Sequence, residues 1–208
     1  MVEQLILTFA EIEFVLRSRP DQAEAVRAQL RINPEASSDI VVAAGVASLL
    51  ARGLCTMAGT EEVVPTDPII AATAALATSR THTEAVGWVG EQTVLVHLYT
   101  GSSAGIAVYP VAFGQFSVEL LNPAEPLVVP VTRFLDACGA GEGEAAVAIR
   151  STTGDEPEVS IAIARDGEGT WYVSDSLESP DKGVPTTRDG VLQRLTDLLG
   201  PRPAEARG

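Results

Sequence analysis

Near residue 80 the hydrophobic period of the chain changes, and that change constrains the fold more than any other feature. Upstream, apolar residues recur at three- and four-residue spacing, the mark of helices; downstream they alternate, the mark of half-buried strands. Helices followed by strands, rather than a strict strand-helix alternation, predict an α+β fold. The first helix spans about Phe9 to Ser18, with Thr8 as N-cap and Phe9, Ile12, Val15 and Leu16 at helical spacing. A second, half-exposed helix runs from Asp21 to Ile32, and Pro34 ends it. The downstream part reads as two antiparallel meanders. Strands at Glu84–Gly90, Thr93–Thr100, Ile106–Val111 and Gln115–Leu121 form the first, and Ala145–Arg150, Glu158–Arg165 and Thr170–Asp175 the second. A helix from Val131 to Cys138 stands between them, and a Leu-striped helix from Arg188 to Leu199 closes the chain, capped by Thr186 or Thr187 and stopped by Gly200-Pro201.

The stretch "ASLLARGLCTMAGTEEVVP", residues 47–65, has the order of a winged helix. A third helix from Ile40 to Arg52 is capped by Ser37, Ser38 or Asp39 and closed by Gly53 as a left-handed residue. Short strands at Leu54–Met57 and Glu62–Val64 and a fourth helix from Pro68 to Thr78 follow. The third helix is apolar on nearly every face, which predicts burial against several neighbours, with Val46, Leu49 and Leu50 deep in the core. A recognition helix needs a face of Arg, Lys, Asn or Gln instead. Residues 36–70 hold one base, Arg52, against the acids Asp39, Glu61, Glu62 and Asp67. The segment is therefore expected to be scaffold, with no nucleic acid as partner.

Charge extends that expectation to the whole chain. Its 28 acidic and 14 basic residues give a net charge of −14, a field that repels phosphate backbones and anionic membranes and favours basic partners. A hydrophobic content of 46% is that of a globular chain, long enough for one domain over residues 1–200, in halves 1–121 and 122–200, with 201–208 as a disordered tail. The N-terminal "MVEQLILTF" has an acid where a signal peptide has Lys or Arg, and the apolar runs are too short to span a bilayer, so no membrane insertion and a cytoplasmic location are expected. Cys55 and Cys138 lie in no C-x-x-C spacing and read as two buried thiols.

Sequences that match catalytic motifs lack the context their chemistry needs. "GSSAG" fits the nucleophile-elbow pattern with Ser103 as nucleophile, but a strand rather than a helix follows it and no histidine comes after His97, so it reads as a hairpin turn. "GEGEAA", residues 141–146, fits a relaxed dinucleotide fingerprint but leaves a helix and enters a strand. Asp175, Glu178 and Asp181 lack calcium-loop spacing, and neither His82, placed in a polar link, nor His97 has a second ligand at metal spacing. No catalytic, cofactor or metal residue is therefore assigned, and no enzyme activity is expected. The candidates for partner binding are Phe113 and Phe116, flanking Gly114-Gln115 at a hairpin turn that should expose at least one aromatic.

The run "GEGEAAVAIR…RDGEGTWYVSDSLESPDKGVPTTRDGVLQRLTDLL" resembles the C-terminal half of the EspG-type chaperones of type VII (ESX) secretion. "LTFAEIEFVL" and "ASLLARGL…PTDPIIAATAALA" are similar to that family's first half, although "ESPDKGVP" lacks an Arg-Tyr after its Gly. The resemblance implies an α+β fold with a quasi-twofold arrangement of halves, and a cytosolic, non-catalytic protein that binds helical PE or PPE secretion substrates. A transcription regulator with a divergent winged-helix segment, or an enzyme whose site holds His97 beside a carboxylate, are the competing expectations.

Overall fold

A computed structural model describes residues 5–18, 20–33, 37–59, 62–89, 91–101, 104–140, 143–177 and 183–200. Among these are six α-helices and eleven strands, most of the strands antiparallel neighbours: an α+β fold with a C-terminal helix. Pro34, Glu61, Ser103, Gly141, Glu142, Glu178, Asp181 and the tail 201–208 lie outside the described residues. The chain forms two compact units, Met1–His82 with Val96–Pro123, and Thr83–Leu95 with Ala124–Gly208. The hairpin segment 83–95 thus groups with the second part of the chain.

Unit one begins with a strand the sequence pattern does not reveal, β1 (Leu5–Thr8), which leads directly into α1 (Phe9–Arg17). Thr8 is at once the last strand residue and the helix N-cap. Its hydroxyl accepts from the Glu11 amide while the Glu11 carboxylate accepts from the Thr8 amide, a capping box. Next come α2 (Pro20–Gln29), α3 (Asp39–Ala51), the hairpin β2 (Cys55–Ala58) and β3 (Glu62–Pro65), and α4 (Asp67–Thr78). Helix α2 stops at Gln29, before Ile32. The Ile32 amide donates to the Arg27 carbonyl and the Arg31 amide to that of Ala28, with Arg31 at φ 56°, so a left-handed cap closes the helix ahead of Pro34.

The sheet of unit one has the order β1-β7-β6-β5, with β5 (Gln92–Thr100), β6 (Gly105–Pro110) and β7 (Gln115–Leu121) as the expected meander. Registers Leu7↔Phe116, Val108↔Val118, His97↔Val108 and Tyr99↔Ile106 put these side chains on one face. There most of them join Ile12, Leu16, Val26, Leu49 and Ile69 of the helices in a single apolar core.

Unit two carries most of β4 (Thr81–Val89), then α5 (Val128–Cys138), β8 (Ala145–Thr153), β9 (Val159–Arg165), β10 (Trp171–Ser174), β11 (Val184–Thr186) and α6 (Arg188–Leu199), in strand order β4-β8-β9-β10-β11. Helix α5 begins three residues before Val131 because Pro130 falls in its first turn, where a missing N–H costs nothing. Val147, Ile149, Ile161 and Ile163 are buried on the sheet, with Val131 and Leu135 of α5 and Val191 and Leu195 of α6. Thr187 caps α6 by accepting from the Gly190 amide.

Candidate interaction surface

Helix α3 is apolar from Ile40 to Ala51 apart from Ser48, yet it buries only Gly45 and Leu49. Val46 and Leu50 are half-buried, whereas Ala43, Ala44, Ala47 and Ala51 are exposed and Ile40 is 81% exposed. The expectation of burial on all sides is therefore corrected. The reason lies in the packing: α3 rests chiefly on α1, with β2 at its end. Contact with α1 is close because position 45 has no side chain; a Cβ there would sit 2.1 Å from the Ala10 carbonyl oxygen. Ser38 caps one end of α3, and Gly53, at φ 69°, closes the other as the sequence predicts. Beyond it, Met57 and Val64 on the hairpin and Ile70 on α4 are also exposed.

A second apolar feature lies at the turn between β6 and β7. The Phe113 side chain is 98% exposed, and Phe116 is 5% exposed in the core opposite Leu7. Of the two candidate aromatics the turn thus presents only Phe113, because Phe116 belongs to β7 and its register points it at the helices. Phe113 has φ 62° and ψ 34°, a left-handed conformation unusual for a bulky residue, and Gly114 follows at φ 68°. Val111 is exposed beside it, and the exposed ring of Phe9 approaches within 3.3 Å of where a Gly114 Cβ would lie.

Beneath these surfaces are polar groups that periodicity gave no signal for. Glu11 and Glu13 of α1 are both fully buried. The Glu11 carboxylate accepts from Ser48 Oγ at 2.7 Å and from Arg52 Nη1 at 2.9 Å, while Arg52 Nη2 donates to the Ile6 carbonyl. Glu13 takes a bidentate pair from Arg27, with Nε and Nη2 each at 2.8 Å. The bases that answer these acids stand 14 and 41 residues away in sequence, so only the fold brings the pairs together.

His82 is on strand β4 and not in a link, because that strand begins at Thr81 rather than Glu84. Its Nε2 lies 3.2 Å from His97 Nδ1, and its ring stacks on both His97 and Tyr99, with centroids 5.4 and 4.9 Å apart. Burial pushes both imidazoles down to about 4; the neighbouring His82 and then Arg31 add to the effect on His97. Cys55 and Cys138 are buried free thiols, as expected, and burial raises both.

The remaining motifs take the places their context predicts. "GSSAG" joins β5 to β6, whose paired ends are Thr100 and Gly105, and "GEGEAA" follows α5 and enters β8. Asp175 pairs with Arg194 at the surface. Among the described residues no group of three or more His, Cys, Asp or Glu could hold a metal, and no helix is long and apolar enough to cross a membrane. The chain matches no protein-family model and no curated protein.

Proposed function

We propose that the protein is a non-enzymatic, cytosolic protein-binding domain that holds a helical segment of its partner, in the manner of the EspG-type chaperones its sequence pattern resembles. The observation that carries this reading is α3, whose apolar circumference is covered on one side only. An exposed apolar helix face costs solubility unless a partner covers it, and a second amphipathic helix is the complement such a face takes. Helical PE or PPE secretion substrates fit that chemistry. The net charge of −14 favours a partner whose apolar face is rimmed by Arg or Lys. The base in this segment, Arg52, supports the same reading over DNA binding, since its guanidinium is engaged by Glu11 and the Ile6 carbonyl.

Co-expression with PE–PPE substrate pairs tests the proposal. A complex that co-elutes in size exclusion, and that Ala47→Glu abolishes without lowering the melting temperature, is the expected result. Absence of any complex, or binding to duplex DNA at low salt, overturns it.

A further inference from the structure

The turn between β6 and β7 is built against its local preferences. Two successive residues with positive φ are the conformation for which Asn-Gly is the favoured pair, and a Phe in the first place is strained there. The turn does not need the ring. It is closed by the Val111 amide donating to the Gln115 carbonyl at 2.8 Å, and a side chain 98% exposed buries nothing. Strain held at a position that contributes no packing points to use outside the fold.

Its surroundings specify that use. From Pro110 to Val118 the sequence has no charged residue, and two more exposed apolar side chains belong to the same turn region: Val111, two residues before Phe113, and Phe9, which lies beside Gly114. An uncharged apolar knob on a chain of net charge −14 suits a desolvated pocket, while the surrounding field opposes approach to an anionic bilayer. Rigid aromatics of this kind, seated in apolar pockets, dominate protein interfaces. We propose that Phe113 is a pre-set anchor that plugs an apolar pocket on the protein partner. The inference rests on the protein-binding reading and adds to it the contact that fixes the partner's position.

The photo-crosslinking residue p-benzoylphenylalanine, placed at position 113 of the full chain in its native cells and at Asp155 as control, supplies the test. Irradiation should give a discrete adduct with a second protein from position 113 and not from 155, through an apolar peptide of that protein. With that protein purified, Phe113→Asn should bind at least tenfold more weakly while melting no lower than the parent, since Asn suits the left-handed turn; Phe113→Tyr should keep most of the affinity. Adducts indistinguishable from the control, an adduct with phospholipid, an adduct with a second copy of the chain, or unchanged affinity of Phe113→Asn each overturn the inference. If Ala47→Glu loses binding and Phe113→Asn does not, the anchor fails and the protein-binding reading stands; if no helical substrate co-elutes with the parent chain, that reading fails on its own test.

Discussion

Helices α1 and α3 pack on each other, yet each contradicts its own composition. Helix α1 has two glutamates within nine residues and hides both; α3 has no charged residue between Asp39 and Arg52 and leaves most of one side in solvent. The difference shows that burial follows from what a helix can be matched with, not from how apolar it is. The α1 carboxylates enter the core because Arg52, Ser48 and Arg27 reach them, and burial of a matched charge is tolerated where burial of a lone one is not. The α3 alanines stay out because, among the described residues, α3 is laid chiefly against α1, with β2 meeting it at one end.

The comparison is most exposed to failure at Glu11. Glu11→Ala removes the acceptor for Arg52, Ser48 and the Thr8 amide together and should cost about 3–5 kcal/mol, read as a lowered urea midpoint. A loss below about 1 kcal/mol would mean that the carboxylate is incidental to the α1–α3 contact.

Acid probes a different buried polar pair, His82 and His97. Their folded-state values lie near 4, below the usual 6.5, so the unfolded chain binds protons first as pH falls. The stabilisation is complete above pH 6.5 and is lost between 6.5 and about 4, on the order of 3 kcal/mol for each ring. The difference in melting temperature between the parent and a His82→Phe/His97→Phe variant should be constant above pH 7 and change through that window. A flat difference would refute the burial of neutral imidazoles.

Gly45→Ala sharpens the comparison at the contact itself. Alanine favours the helix by about 1 kcal/mol, but its Cβ has no room against Ala10, and the net should be a loss of about 1–3 kcal/mol in chemical unfolding. The smallest effect belongs to the open side. Ala44→Lys and Ala47→Glu should each stay within about 0.5 kcal/mol of the parent, and a larger loss in thermal melts would show that this face is covered within the chain.

Most of the architecture was legible because it rests on local signals. The N-cap at Thr8, a serine cap before the third helix and a threonine cap before the last, Gly53 and the meander strands sit close to where spacing and turn residues place them, although the first meander strand starts three residues earlier, at Thr81. What escaped depends on partners or on exceptions. Strand β1 is four residues long and runs straight into a helix, so its alternation has no room to show, and β11 contains Pro185, tolerated because that strand is the outermost of its series. Arg31 and Gly53 close their helices by the same left-handed cap, but only glycine advertises it. The exposed aromatic was half-legible: the turn was visible at Gly114, while the choice between Phe113 and Phe116 depends on the β6–β7 register, which turns Phe116 to the core face with Val118, and on β1, itself unseen, which covers it with Leu7. The open side of α3 was hidden for a related reason, since periodicity reports what a helix could bury and says nothing of how many neighbours the fold supplies.

Each unit carries one buried thiol, Cys55 in the first and Cys138 in the second. A thiol reagent can reach either sulfur only when the shell around it opens, so two labelling rates measured on one native sample time the two units separately. The protein thereby contains a pair of internal clocks, and comparison of their rates with and without a bound partner reports which unit the partner steadies.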